Sequence, residues 1–151
     1  MKPSPQQVAE AVRDAMWRGD RASQQLGMQV LAVGPGTASV GMTVREDMLN
    51  GHALCHGGLI STLADSTFAY ACNAYNELTV AAGFDINLLA AARLGDVLVA
   101  SATEISRTGR TGVYDVAVHN QRGEAVAAFR GRSHIMKGKP VVADWPVGKG
   151  A

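Results

Sequence analysis

Residues 50–73 read NGHALCHGGLISTLADSTFAYACN, an apolar stretch of helical character that carries one carboxylate, Asp65, near its middle. No Lys or Arg occurs between Arg45 and Arg93, so no cation nearby in sequence can neutralise that charge. Burying an unpaired ionised carboxylate is expensive, so Asp65 is either solvated or kept for chemistry. On a helical wheel at about 100° per residue, Leu59, Ile60, Leu63, Tyr70 and Ala71 fall on the half opposite Asp65. Gly58, Ser61, Ala69 and Cys72 flank it within roughly 40°. A wet helix face usually carries several charges, whereas Asp65 is the only Asp, Glu, Lys or Arg between Asp47 and Glu77. Asp is also a poor residue for a helix interior, and this one comes too late to cap the helix start. The pattern favours a reactive carboxylate on a small-residue face that another group can approach.

His56-Gly57-Gly58 opens the same helix. Free backbone N–H groups at a helix start, together with the dipole, make an electropositive spot, and Gly lets a substrate atom come close. Such a spot suits a developing oxyanion. Eight residues at about 1.5 Å each put Asp65 roughly 12 Å from Gly57 along the axis, too far for one substrate carbon to touch both. Two subunits with their long helices side by side and antiparallel would bring Asp65 of one to face Gly57 of the other, which points to a site shared within a dimer.

Working outward, Ser4-Pro5-Gln6-Gln7 has the form of a capping box, with Pro5 at the first helical position. Residues 1–27 therefore read as an N-terminal helical region, interrupted at Gly19, stopped at Gly27, and peripheral like a lid or arm. From Met28 the period changes to two. MQVLAVG and TASVGMTV flank the turn GPG as a hairpin, with Ala38, Val40, Met42 and Val44 on one face. Residues 45–56 form a loop. Strand candidates follow the helix at 79–89, 96–106, 112–120 and 124–136, and their short connectors favour antiparallel neighbours. One helix cannot cover a broad sheet from both sides, so the sheet is expected to curl around it, an α+β domain over residues 28–136. The tail, residues 137–151, is rich in Lys, Pro and Gly and reads as a flexible arm, with Trp145 a candidate to pin it to a neighbour.

The bulk numbers set limits. The 151 residues fit one domain, and 14 basic against 13 acidic residues give a net charge of +1, which argues against a nucleic-acid or membrane-surface protein. No membrane span or secretory leader is evident, so a cytoplasmic protein is expected. Two cysteines, Cys55 and Cys72, fit a reducing compartment better than a disulfide framework. His52, Cys55, His56 and Cys72 lack the paired spacing of a zinc site. Cys55 beside His56 reads better as a small buried residue than as a nucleophile, because adjacent side chains seldom face each other.

NGHALCHGGLISTLADSTFAYACN resembles the signature of hotdog-fold acyl-CoA thioesterases of the phenylacetic-acid-degradation (PaaI) type, and its specific part is HGG with eight residues from Gly57 to the Asp of LAD. TASVGMTVREDMLNGH resembles that family's first hairpin and GVYDVAVHNQRGEAVAAFRGRSH its last two strands, so the likeness covers residues 8–136. The resemblance implies the hotdog fold, an antiparallel sheet wrapped around one long central helix. It implies homodimers paired edge to edge, often doubled to homotetramers, and hydrolysis of an acyl-CoA with no metal or redox cofactor, coenzyme A being part of the substrate. It makes Asp65 the catalytic carboxylate, Gly57 the backbone donor to the thioester carbonyl, and His56 and Asn50 supporting polar positions.

Asp65 would either activate a water or attack the thioester carbon, and the thiolate of coenzyme A needs no strong acid to leave. Arg107, Thr108, Gly109, Arg110, Thr111 and Gly112 lie where the family meets coenzyme A, with Lys137 and Lys139 as further cations. The chain departs from the family at Ala91, where a proline is common, and at Ala82 and Gly83, where some relatives place a hydroxyl to hold the water. The resemblance points to phenylacetyl-like thioesters, with Met48, Leu54 and Tyr70 as candidate lining. A non-catalytic acyl-CoA binding module on the same scaffold is the alternative, and a carboxylate at the reacting carbon argues against it because it would repel an anionic ligand.

Overall fold

The N-terminal capping box forms as the sequence requires. Ser4 accepts from Gln7 N–H at 3.1 Å, and the Gln7 side chain accepts from Ser4 N–H at 2.8 Å. Helix α1 (Pro5–Gly19) follows and buries Val8, Ala9 and Val12 against strand β1 (Gln29–Gly34). In the computed structural model, which describes residues 1–149, the remaining elements are α2 (Arg21–Gln25), β2 (Thr37–Thr43), α3 (Gly57–Cys72), β3 (Thr79–Leu88), β4 (Val97–Thr108), β5 (Thr111–His119) and β6 (Ala125–Ile135). The strands form one antiparallel sheet in the order β1-β2-β4-β5-β6-β3. This is the hotdog arrangement, a six-stranded sheet packed on a single central helix.

The order departs from a simple meander at one point. The connector from β3 to β4 is short, yet the two strands are not neighbours: β5 and β6 stand between them. Three strand spacings amount to about 14 Å. Residues 89–96 can span roughly 26 Å when extended, so the chain crosses the end of the sheet without a helix.

Alternation on β2 places Ala38, Val40 and Met42 inward, and Val44 continues that row. Helix α3 lays Ile60, Leu63, Ala64, Phe68 and Ala71 against this face. Phe68 meets Tyr114 at 5.5 Å and Phe129 at 5.8 Å between ring centroids, tilted geometries that aromatic rings prefer. Gly131 makes that packing possible, because a Cβ there would lie 2.9 Å from the Phe68 ring. The helix packs chiefly on β2, β4 and β5 and less on β6 and β3. In consequence the inner face of β3 is left partly open, with Phe84 40% and Leu88 54% exposed.

Both chain ends differ from the expectation of loose arms. Tyr70 donates to Asp20 at 2.9 Å and Ser23 bonds Ser66 at 3.0 Å, so the turn between α1 and α2, and α2 itself, are fastened to α3. At the other end Asn76, fully buried with a left-handed φ of 57°, gathers the tail. Its Nδ2 donates to the carbonyls of Val142, Trp145 and Pro146, and its Oδ1 accepts from the N–H groups of Val141 and Val142. One amide side chain thus satisfies five backbone groups that composition alone marks as loop. Asn76→Ala is expected to lower the unfolding free energy by about 2–4 kcal/mol, read by urea titration; a change below about 0.5 kcal/mol would show that the tail folds independently of this anchor.

Candidate functional site

The segment before α3 is shaped by Asn50. Its Oδ1 accepts from His52 N–H at 2.9 Å and Leu54 N–H at 3.2 Å, which leaves the carboxamide Nδ2 free. This loop holds Ala53 at a φ of 59° and returns the chain to Cys55, whose N–H donates to Ala92 O at 2.8 Å. His56 then caps the helix: Nδ1 accepts from Gly58 N–H at 3.0 Å, so Nδ1 carries no proton and the neutral ring is protonated on Nε2. His56 O takes the N–H of Leu59. Gly57 N–H, between them, has no partner among the described residues, and it points from the positive end of the helix dipole.

A cavity of about 300 Å³ lies beside it, lined by Asn50, Leu54, Gly57, Ile60, Leu88 and Leu89 among others. Leu88 closes one side, since a Cβ on Gly57 would stand only 2.6 Å from Leu88 Cδ1. Of the residues expected to line an acyl pocket, Leu54 does so, whereas Met48 and Tyr70 are buried in the core. Sequence reasoning misses Leu88 and its neighbours. Their apolar run is visible, but only the topology brings the end of β3 against the start of α3.

Asp65 lies two turns further along α3 and does not line this cavity. The other polar side chains of the helix are all bonded. Ser61 donates to Gly57 O, Thr62 to Gly58 O and Thr67 to Leu63 O, while Ser66 and Tyr70 reach α2 and Asp20. Asp65 has no hydrogen bond or ion pair among the described residues. It is half-buried, and burial alone pushes its carboxyl above the ordinary carboxylate range. Within one chain, Asn50, His56 and Gly57 are therefore brought together and Asp65 stands apart from them.

The segment expected to meet coenzyme A divides in two. Arg107 turns inward, pairs with Glu77 at 2.8 Å and lies 4.6 Å from the centre of the Tyr75 ring, so its guanidinium is already committed. Burial would raise the Glu77 carboxyl, but the Gly138 N–H and Arg107 outweigh it and hold the group below its usual value. Gly112 is buried against Ser133 and Tyr114. Thr108, Gly109, Arg110 and Thr111 make the exposed turn between β4 and β5, with Gly109 at a φ of 62°. Arg110 is exposed, and its carbonyl accepts from Ile135 N–H at 2.8 Å, which puts the turn near exposed Lys137.

Burial raises the Cys55 thiol above its ordinary value, which keeps it protonated and a poor nucleophile at neutral pH. Among the described residues no three His, Cys, Asp or Glu side chains gather as a metal would require, and no helix is long and apolar enough to cross a membrane.

Comparison with known proteins gives a consistent picture. The thioesterase superfamily profile matches residues 52–127. Acyl-coenzyme A thioesterase PaaI of Escherichia coli strain K12 is 43% identical over 124 residues, covering 82% of this chain and 89% of that protein. The solved structure of the E. coli PaaI protein, described as coming from the phenylacetic acid degradation operon, superposes with a TM-score of 0.88 at 40% identity, over 90% of this chain and 99% of that one. A single-site mutant of the phenylacetic acid degradation protein PaaI of Thermus thermophilus superposes with a TM-score of 0.74 at 36% identity, over 76% and 97% of the two chains.

The isolated carboxylate has a consequence for stability. Because the folded chain holds the Asp65 proton more tightly than the unfolded chain does, ionising it costs stability, and the cost grows as pH rises through the folded-state value. Asp65→Asn is expected to unfold at a higher temperature than the wild type at neutral pH, with the two converging in acid where both side chains are neutral. Equal melting temperatures across the whole range, measured by calorimetry, would show that the carboxylate is fully solvated.

Proposed function

The chain belongs to the thioesterase superfamily, and from that membership we propose that it hydrolyses acyl-CoA thioesters to the free acid and coenzyme A. The observation that carries the reading is Asp65, the one polar side chain of α3 without a partner, on the same rod as the one unpaired N–H of its first turn at Gly57. A chain that only bound coenzyme A would have no use for this carboxylate. The kinship to proteins named for phenylacetic acid degradation supports an aryl, phenylacetyl-like acyl group and a place in aromatic degradation. The free, buried Cys55 and Cys72 suit a reducing, cytoplasmic setting.

In this reading the thioester carbonyl accepts a hydrogen bond from Gly57 N–H, with the free Asn50 Nδ2 as a second donor. Both are aimed where negative charge develops on oxygen. His56 is a positioning residue: by taking the Gly58 N–H it leaves Gly57 as the exposed donor. The ionised Asp65 acts on the carbon in one of two ways. It removes a proton from water as the oxygen attacks, or it attacks directly to give an anhydride that water then opens. In either route the C–S bond breaks and the thiolate of coenzyme A departs.

The separation of Gly57 and Asp65 along a rigid helix supports a homodimer in which each site draws Gly57 from one subunit and Asp65 from the other. The free edge and open inner face of β3, with Phe84 and Leu88 uncovered, supply an apolar surface for that pairing, and a homotetramer would double it. The exposed turn Thr108–Thr111, with Arg110 and the nearby Lys137 and Lys139, offers the cations for coenzyme A phosphates. Arg107 and Gly112 support that turn from within.

Release of free thiol from phenylacetyl-CoA tests the mechanism. Asp65→Ala and Asp65→Asn are expected to lose at least about a hundredfold in turnover, whereas Cys55→Ala keeps most of it; unchanged rates in both Asp65 variants would remove the mechanism. Leu88 sets the free width beside Gly57, so Leu88→Ala is expected to shift kcat/KM toward bulkier acyl groups relative to acetyl by about tenfold. An unaltered preference across an acyl series would place the acyl chain elsewhere.

A further inference from the structure

We propose that the chain carries a second small-molecule site, remote from Gly57 and Asp65, that takes an anion with a flat apolar body such as an aryl sulfonate or carboxylate. A cavity of about 480 Å³ lies past the C-terminal end of α3, where Ala74 and Tyr75 meet the start of α1, the β1–β2 turn at Pro35, and the tail at Pro146 and Lys149. The 16 residues of α3 separate this place from Gly57 by roughly 24 Å. The volume falls within the range of small-molecule sites and exceeds that of the cavity beside Gly57.

The walls are mostly carbon, from Val8, Ala74, the Tyr75 ring and four prolines. Proline fixes its own φ, so such walls are preformed and lose little freedom when a ligand enters. Tyr75 is held in place as well. Its hydroxyl donates to Glu104 at 3.2 Å, Arg107 sits over its ring, and Gly36 lets the β1–β2 turn close on it, since a Cβ there would lie 2.9 Å from the hydroxyl.

Charge at the rim has one sign. Lys2 and Lys149 line the cavity and no carboxylate does. Glu104, the nearest acid, stands behind Tyr75 and already accepts from Tyr75, Tyr114 and Lys149. Lys2 is exposed and makes no ion pair among the described residues. Cations over apolar walls select a ligand with an anionic end and an apolar body. Only Ala74 and Tyr75 of the lining fall within residues 52–127, the segment that matches the thioesterase superfamily. The cavity is thus built by the N-terminus, the first hairpin and the tail, and it stands whether or not the catalytic reading holds.

The test is a titration of the isotope-labelled full chain with naphthalene sulfonate, followed by backbone amide shifts. Saturable shifts at Ala74, Tyr75, Gly148 and Lys149 are expected, with naphthalene sulfonamide, alike in shape but neutral, binding at least about fivefold more weakly. Lys2→Glu should weaken the sulfonate by about fivefold or more while leaving thioester turnover and the melting temperature unchanged. Pro3→Glu, which puts a carboxylate in the wall, should do the same. Shifts confined to Gly57–Ile60 and Leu88–Ala92, equal binding of the neutral analogue, or undiminished binding by both variants would overturn the proposal.

Discussion

A rigid helix that carries an unpaired carboxylate in its middle and a free amide at its start constrains everything around it. The carboxylate cannot be fully buried, because the core offers no cation and ionisation there would cost several kcal/mol. It cannot be fully solvated either, because its neighbours Gly58, Ala69 and Cys72 are small and their face is narrow. Half-burial is the compromise, and the raised proton affinity of Asp65 is its consequence. The sheet meets this constraint by covering α3 from β2 through β5 and thinning toward β3, which leaves one flank of the helix accessible.

The two ends of α3 are fixed by different means, and the difference matches their uses. At the start, His56 and Asn50 satisfy loop and helix N–H groups with side-chain acceptors and leave one amide over. At the finish, nothing is left over in the backbone. Asn73 caps the helix by donating to Ala69 O and exchanging hydrogen bonds with Thr79, Asn76 collects the tail, and Glu77 joins Arg107 to Gly138. A buried ion pair is a weak source of stability by itself, but one that also accepts a backbone N–H fixes the relative placement of three chain segments. This network explains why Arg107, which reads on paper as a surface cation between two threonine turns, faces inward.

Much of this was legible in the residues. The capping box at Ser4, the helix from Gly57, the alternation at Ala38, Val40 and Met42, and the isolation of Asp65 all follow from local rules that act over a few positions. What was not legible depends on distant partners. The position of β3 at the far edge cannot be read from the Ala-rich connector, because eight residues reach a neighbouring strand and the fourth strand over equally well. The tail looked loose because Gly, Pro and Lys say nothing about an acceptor and donor waiting at Asn76. Likewise the paired Gly57 and Leu88 are thirty-one positions apart, and only the fold makes them touch.

The same distance argument bears on how substrate size is sensed. Because Gly57 lacks a Cβ, Leu88 can close over the helix start, and the amide is then reached only through the gap that Leu88, Leu54 and Asn50 leave. Leu88 belongs to the uncovered edge strand, whose position would depend on what pairs with it. A partner subunit that fixed β3 would therefore set the width of the entrance to Gly57 while its own helix supplied the carboxylate. Assembly and acyl selectivity would then be one property, and a change at the β3 edge would alter the preferred acyl group even where no residue touching substrate had been replaced.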